Sequence, residues 1–182
     1  MNALAAYGLL ADGLIFGALA AALPFGEFRA RVGLAATALA LTVGIAPLLH
    51  GGFGTPSLTL LQLALLQLTG RTAAPLTWRP ALGLLLLALF FYPAALGVGG
   101  FDPYAAGYQP AALLVALLPL AGVLWWKRHD GWLLILAIDL AGYAGGLFAN
   151  LWDALFDPLL VLLALFVVGR AAARHFSGSR IR

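Results

Sequence analysis

The sequence predicts an all-α integral membrane protein, a polytopic helix bundle with about seven transmembrane helices in one domain, residues 1–182. Hydrophobic residues make up 63% of the chain and charged residues 9%, whereas about 25% of the residues of soluble proteins are charged. All ten Lys and Arg residues fall into four patches, with long stretches between them that contain neither. Because Lys and Arg are retained on the cytoplasmic side of a bilayer, the patches predict where the chain returns to that side.

The spacing of the patches sets the predicted topology. They consist of Arg29 and Arg31, then Arg71 and Arg79, then Lys127 and Arg128, and finally Arg170, Arg174, Arg180 and Arg182. The stretch before the first patch suits one crossing, and each later stretch suits two crossings and a turn. We therefore expect the N-terminus outside and the C-terminus in the cytoplasm. The absence of Lys and Arg before Arg29 favours a retained first helix over a cleavable signal peptide.

Apolar runs between these signals give the individual helices. The predicted segments cover residues 3–24, 32–49, 56–70, 80–98, 110–126, 131–150 and 158–174. Proline stands at or next to the start of four segments, where its missing N–H costs nothing. The third segment is short and carries Gln62 and Gln67. We expect it to be tilted, buried between its neighbours or partly re-entrant, and a re-entrant third segment would leave six crossings.

Two carboxylates fall inside predicted segments, Asp12 in the first and Asp139 in the sixth. Helical rise places them about 14 and 16 Å from the outer edge, so they could meet at one depth. An ionised carboxylate near the bilayer centre costs at least about 2.5–3.5 kcal/mol. At least one should be protonated unless a cation or a water cavity intervenes. They could form a proton or cation path or line a solute cavity, or they could bond neighbouring helices through Gln62, Gln67 or Thr59.

Small residues accompany both carboxylates. Gly13 with Gly17, and Gly142 with Gly146, form two GxxxG pairs, which let helix backbones approach closely. One predicted helix face in the sixth segment carries, at positions i, i+4, i+7 and i+11, Asp139, Tyr143, Gly146 and Asn150. This face would lead from the middle of the membrane to the last outward loop.

The predicted outward loops hold polar and aromatic residues but no Lys or Arg. Tyr and Trp combine an apolar body with a hydrogen-bonding tip, which suits an interface, and glycines permit tight turns beside a ligand. The candidate residues for binding a ligand or partner are His50, Asp102, Tyr104, Tyr108, Asn150, Trp152 and Asp153. The alternative is that these loops are simply short, capped connections with an aromatic belt. N-capping of the last segment explains Asp157.

Several classes of site are not predicted. Without cysteine there is no disulfide or thiolate ligand. Among His50 and the loop carboxylates, only Asp153 and Asp157 stand at helical spacing, which gives no support for a metal site. No motif of a catalytic nucleophile is present, so we assign no catalytic residue and expect no cofactor. The basic residues are distributed as topology signals, so we expect no nucleic-acid partner.

Three functions agree with this pattern. The first is a non-catalytic multi-pass subunit of the bacterial inner membrane that docks a cell-envelope protein, a second copy of itself or a lipid-linked substrate through its outward loops. The second is a small proton-coupled permease, or a substrate-binding transport subunit, that uses Asp12 and Asp139. The third is a membrane-embedded enzyme that works at the outer face with His50 and the loop aspartates.

Overall fold

A computed structural model describes residues 2–70 and 75–178, with side chains to residue 175. Met1, residues 71–74 and residues 179–182 lie outside the described part, and with them Arg71, Arg180 and Arg182. The described part is helical and contains no strand. Its α-helices are α1 (Ala3–Ala21), α2 (Arg29–Thr42), α3 (Ile45–Phe53), α4 (Leu58–Thr69), α5 (Trp78–Ala95), α6 (Ala111–Trp126), α7 (Asp130–Ala144), α8 (Leu151–Leu155) and α9 (Pro158–Gly178).

Three helical stretches in the described chain are long and apolar enough to cross a membrane. They are α1, α5 and the 25-residue run Leu151–His175 through α8 and α9. A fourth crossing is possible if Gly26–Thr42 and α3, which are bent by 78°, count as one span. The all-helical class is therefore confirmed, whereas the seven crossings are not.

The predicted second segment, 32–49, is interrupted. α2 ends at Thr42, Gly44 has a φ of 86°, and α3 begins at Ile45. Glycine adopts this left-handed backbone without the clash that a Cβ would introduce. The helix then continues past the predicted end to Phe53, where Gly54 again has a positive φ of 79°. α3 is thus a separate short helix between two left-handed glycines.

The predicted third segment is α4, which has 12 residues. Its length of about 18 Å falls short of the roughly 30 Å of a hydrocarbon core. Leu60, Leu63 and Ala64 of this helix are buried, and α4 packs against α1, α2, α7, α8 and α9. Of the three alternatives for this segment, the structure shows a helix buried between its neighbours.

The predicted sixth segment, 131–150, ends early. α7 stops at Ala144, and Gly146 has a φ of 75° and turns the chain. The single helix face from Asp139 to Asn150 is therefore wrong, because Asn150 lies beyond the turn and caps α8 instead. Of the second GxxxG pair, only Gly142 remains in the helix, where its Cα lies against Leu58 of α4.

The first GxxxG pair packs α1 closely against α2, as predicted. A Cβ added to Gly13 would lie 2.8 Å from Cδ2 of Leu41. One added to Gly17 would overlap Oγ1 of Thr37 and lie 2.5 Å from the carbonyl oxygen of Gly33. These contacts leave no room for a side chain at either position.

Contacts near the helix ends fix the relative directions of four helices. The starts of α1 and α4 meet where Tyr7 bonds Pro56, and the starts of α4 and α9 meet where Ser57 bonds Asp157. The end of α5 lies here too, because Phe91 packs against Phe156. These directions agree with those predicted from the basic patches. The absolute orientation remains a prediction.

The close α1–α2 contact predicts the effect of Gly17→Ala. The added methyl group has no space beside Thr37 and Gly33, so we expect a loss of about 1–3 kcal/mol of stability. Gly83→Ala is the matched control, because Gly83 is an exposed glycine of α5 with nothing within 4 Å of an added Cβ. Thermal unfolding in detergent, followed by tryptophan fluorescence, should separate the variants. Equal unfolding temperatures would contradict close packing at Gly17.

Absolute orientation can be tested with single cysteines, because the chain has none. Phe101 and His129 are exposed residues of the connections on either side of α6. We expect an impermeant thiol reagent on intact cells to label Phe101→Cys and to spare His129→Cys until the cells are opened. The opposite pattern would reverse the predicted topology. Ser57 and Ala154 are unsuitable positions because both are buried.

Candidate functional site

Two predicted outward loops are bonded to each other, and we call residues 102–108 and 150–153 the loop pair. Tyr104 donates its hydroxyl hydrogen to Oδ1 of Asp153 at 3.0 Å. Asn150 Nδ2 donates to the carbonyl oxygen of Tyr104 at 3.1 Å. Trp152 Nε1 donates to the carbonyl oxygen of Pro103 at 2.8 Å. Three hydrogen bonds therefore join segments that are nearly fifty residues apart.

Local geometry explains why these residues fit the loop pair. Asn150 is fully buried, and its Oδ1 accepts from the Trp152 N–H at 2.9 Å as the cap of α8. The Asn150 side chain lies directly on Gly107, where an added Cβ would overlap it. Asp102 accepts from the Tyr104 N–H at 2.9 Å, as aspartates do in Asx turns.

The Tyr104 hydroxyl is suited to a donor role. Burial raises the pKa of Tyr104, and the neighbouring Asp153 carboxylate raises it further, so the phenol keeps its proton. The Tyr104 ring meets the exposed ring of Tyr108 edge-on at 5.7 Å. The structure thus brings six of the seven candidate binding residues together. Most of their hydrogen bonds are made to one another. Their role in binding remains a prediction.

The seventh candidate, His50, lies elsewhere. It was expected in an outward loop, but α3 continues through it, and His50 Nδ1 stands 3.3 Å from Oδ2 of Asp12 on α1. The imidazole ring rests on Gly8, where a Cβ would overlap the ring. A residue predicted for the outer loops therefore pairs with a residue predicted for the membrane interior.

Asp12 is fully buried, and neither of its carboxylate oxygens has a hydrogen-bond partner in the described chain. The contact with His50 meets the distance of an ion pair but not the geometry of a hydrogen bond. The side chain of His50 is 27% exposed. The pair thus joins a buried acceptor to a titratable group that solvent can reach.

Asp139 has a different environment. Thr59 donates its hydroxyl hydrogen to Oδ2 of Asp139 at 2.6 Å, and Gln62 Nε2 donates to Oδ1 at 2.8 Å. Gln62 also donates to the carbonyl oxygen of Ile135 at 3.2 Å. For Asp139 the structure therefore shows the helix-bonding alternative, in which α7 is joined to α4. Asp12 and Asp139 have separate partners and do not share a site.

The other two polar residues predicted inside the membrane make smaller contributions. Gln67 accepts through its backbone carbonyl from Arg29 Nη2 at 3.1 Å, which joins α4 to the start of α2. Tyr143 is half-buried on α7 and packs beside a small core that includes Phe148 and Leu151.

Asp157 does more than the predicted capping of the last helix. Its Oδ1 accepts from the Leu160 N–H at 3.0 Å, which caps α9. Its Oδ2 accepts from the Ser57 N–H at 2.8 Å, one hundred residues away in sequence, where α4 begins. A single buried carboxylate thus joins the starts of two helices. The local sequence signals the first bond and contains nothing that would reveal the second.

Tyr7 was also missed by sequence reasoning. It donates its hydroxyl hydrogen to the carbonyl oxygen of Pro56 at 3.1 Å, and its ring meets Phe148 edge-on at 5.3 Å. The only signal was a tyrosine one turn into an apolar helix. Its bond ties α1 to the same helix starts that Asp157 joins.

A cavity of about 400 Å³, which we call the cleft, opens beside the loop pair. Leu4 of α1 and Phe53 of α3 form one side, and the end of α5 forms another. The rings of Phe91 and Trp152, which both line the cleft, pack together with their centroids 4.6 Å apart. The side chains of the lining that carry a hydroxyl or a carboxylate are Thr55, Tyr92, Tyr104, Asp153 and Asp157.

In residues 2–70 and 75–178, no three His, Asp or Glu side chains gather into a group that could hold a metal ion. Comparison with protein-family models, with curated proteins and with solved structures found no match. The loop pair, the cleft and the Asp12–His50 contact are the features of the described chain that bear on its function.

The double role of Asp157 predicts the effect of Asp157→Asn. An amide offers one acceptor oxygen, so either Ser57 or Leu160 would lose the partner of its N–H. We expect a loss of about 1–3 kcal/mol in stability, seen as a lower unfolding temperature in detergent. Asp102→Asn is the control, because an amide oxygen can still accept from Tyr104. If both variants unfold like the parent, Asp157 does not join the two helices.

Proposed function

We propose that this protein is a non-catalytic membrane subunit that holds the apolar part of a lipid-linked molecule in the cleft. The observation that supports this most directly is the cleft itself, with a volume of about 400 Å³ and predominantly aromatic and aliphatic walls. Small-molecule sites commonly enclose about 300–1,000 Å³, with mostly apolar walls and a few polar groups that set orientation.

The wall nearest the loop pair is fixed before any ligand binds. Trp152 is held by its bond to Pro103 and by its contact with Phe91. Tyr104 is held by Asp153 and by Asn150. Because these side chains are already ordered, a ligand loses less free energy in ordering them. The internal hydrogen bonds of the loop pair thus support a binding surface.

The polar side of the cleft favours a particular head group. Asp153 and Asp157 supply carboxylates, and residues 80–126 and 129–169 contain no Lys or Arg. A group bearing an amine or hydroxyls could donate to Asp153, whereas a bare phosphate would be repelled. The substrate class is therefore an amphiphile with a hydrogen-bond-donating head.

The position of the cleft suits entry from the membrane boundary. Its walls come from the ends of α1, α5 and the Leu151–His175 run, which are the three stretches able to cross a membrane. In the predicted topology this end faces the outside of the bacterial inner membrane. The exposed apolar surface of α6, where Val115, Leu118 and Trp126 protrude, is left for lipid or a partner subunit.

Proton-coupled transport is a second candidate function, and the Asp12–His50 contact favours it. It would not use Asp139 as first expected, because Thr59 and Gln62 donate to both oxygens of that carboxylate. The third function, an outer-face enzyme, gains no support, since His50 lies against Asp12 and not among the loop aspartates.

Binding in the cleft can be tested with a diazirine-bearing phosphatidylethanolamine in vesicles that contain the purified protein. After illumination, mass spectrometry compares crosslinks in residues 148–158 with crosslinks in α6, which reports on surrounding lipid. We expect Ala95→Trp to lower the cleft share several-fold, because Ala95 lines the cleft. Leu89→Trp is the control, since Leu89 is 74% exposed on the same helix.

Two results would contradict lipid binding in the cleft. One is crosslinking that is no denser at residues 148–158 than along α6. The other is a cleft share of the crosslinks that Ala95→Trp lowers no more than Leu89→Trp does. If the cleft remains unlabelled and the loop pair instead crosslinks to a protein in whole membranes, the surface docks a protein partner.

A further inference from the structure

We propose that Asp12 and His50 form a proton-binding site that fastens α3 to α1, so that α3 is seated when the pair holds a proton and released when it does not. The ligand is the proton itself. Neither residue lines the cleft.

The carboxylate of Asp12 lacks hydrogen-bond partners in the described chain. It is fully buried in α1, a candidate membrane span, and no described group donates a hydrogen bond to either oxygen. Buried polar side chains nearly always have such partners. Ionised and unpaired, the carboxylate would be strongly unfavourable here. Its stability therefore depends on a nearby proton.

The groups that act on Asp12 differ in the sign of their effect. Among the described residues, His50 of α3 is the basic side chain that acts on Asp12. Asp157, ahead of α9, carries the same sign of charge as Asp12. The hydroxyl group of Tyr7 on α1 also interacts electrostatically with Asp12. α2 and α4 present no titratable group that acts on Asp12. His50 is thus the group that can compensate the charge.

Protons from solvent can reach the pair through His50. The His50 side chain is 27% exposed, and Gly8 gives its ring space against α1. Histidine side chains ordinarily change charge between pH 5 and 8. With one proton, the pair is either an imidazolium beside a carboxylate or a neutral imidazole beside a carboxylic acid. Without it, a buried carboxylate faces a neutral ring.

The glycines at the ends of α3 give this helix freedom to move. This helix is bounded by Gly44 and Gly54, both with positive φ and with open space around them. Ala46 is its one buried residue. Because little of α3 is buried, loss of the His50–Asp12 attraction should weaken its seating on α1. Phe53 at its end lines the cleft, so release would also open one cleft wall.

Cysteine labelling of the otherwise cysteine-free protein in vesicles tests this directly. Ala46→Cys reports on release because Ala46 is fully buried, and Leu48→Cys is the reference because Leu48 is 76% exposed on the same helix. Thiol reactivity itself rises with pH, so the ratio of the two labelling rates is the measured quantity. We expect this ratio to rise several-fold between about pH 5.5 and about pH 9, as the pair loses its proton.

Two backgrounds sharpen the test. Asp12→Asn keeps the size of the side chain and removes its charge, so the ratio should no longer change with pH. Asp139→Asn is the matched control: Asp139 contacts Thr59 and Gln62 and not α3, so the parent's rise should persist. A flat ratio in the parent, or an undiminished rise in Asp12→Asn, would overturn the proposal.

The unmodified protein provides a second measurement in case Asp12→Asn does not fold. Amide hydrogen exchange, corrected for the intrinsic effect of pH, should show protection of residues 45–53 falling as pH rises. Protection of α4, residues 58–69, should remain constant. Parallel loss in both helices would indicate general unfolding and would contradict a local release of α3.

Discussion

The architecture depends on the buried carboxylate of Asp157. Helix starts expose N–H groups that have no partner within the helix, and Asp157 accepts from one at α9 and from another at α4. Tyr7 on α1 donates a hydrogen bond to the carbonyl oxygen of Pro56 and so joins α1 to the same junction. Since α4 is too short to cross a membrane by itself, this junction sets its position among the longer helices. Thr59 and Gln62 on α4 then stand opposite Asp139.

The two aspartates that the sequence places inside the membrane have opposite environments. Asp139 receives donors at both oxygens and links α7 to α4. Asp12 receives none from the described chain and faces His50 alone. A satisfied buried carboxylate contributes to a specific fold, whereas an unsatisfied one must be explained by something else, such as a proton. Composition alone could not have told these residues apart.

Local signals account for what the sequence predicted correctly. Apolar runs predicted the helical class, and Pro158 predicted the start of α9. Gly17 was correctly expected at a close helix contact. Gly146, in the equivalent position of the second pair, instead turns the chain with a positive φ. In the sequence, a glycine that packs two helices together cannot be distinguished from a glycine that turns the chain. Only the tertiary contacts decide between these two roles.

The same ambiguity misplaced His50 and with it part of the candidate site. Gly51 and Gly52 after it suggested a loop, but α3 continues through both and ends at Phe53. The six candidate residues within the loop pair were recognisable because Tyr, Trp and Asp clustered in short connections. Their mutual hydrogen bonds, such as the one from Trp152 to Pro103, depend on packing that no local pattern reveals.

α3 contributes to both of the sites proposed above, since His50 pairs with Asp12 and Phe53 lines the cleft. An uncompensated charge in a membrane span costs at least about 2.5–3.5 kcal/mol, which corresponds to roughly a hundredfold change in an equilibrium constant. A helix with one buried residue has little apolar burial to oppose such a change. The positive-φ glycines at its two ends can absorb the movement without strain in the neighbouring helices. The protonation of the Asp12–His50 pair would therefore govern whether Phe53, which forms part of the cleft wall, is in place.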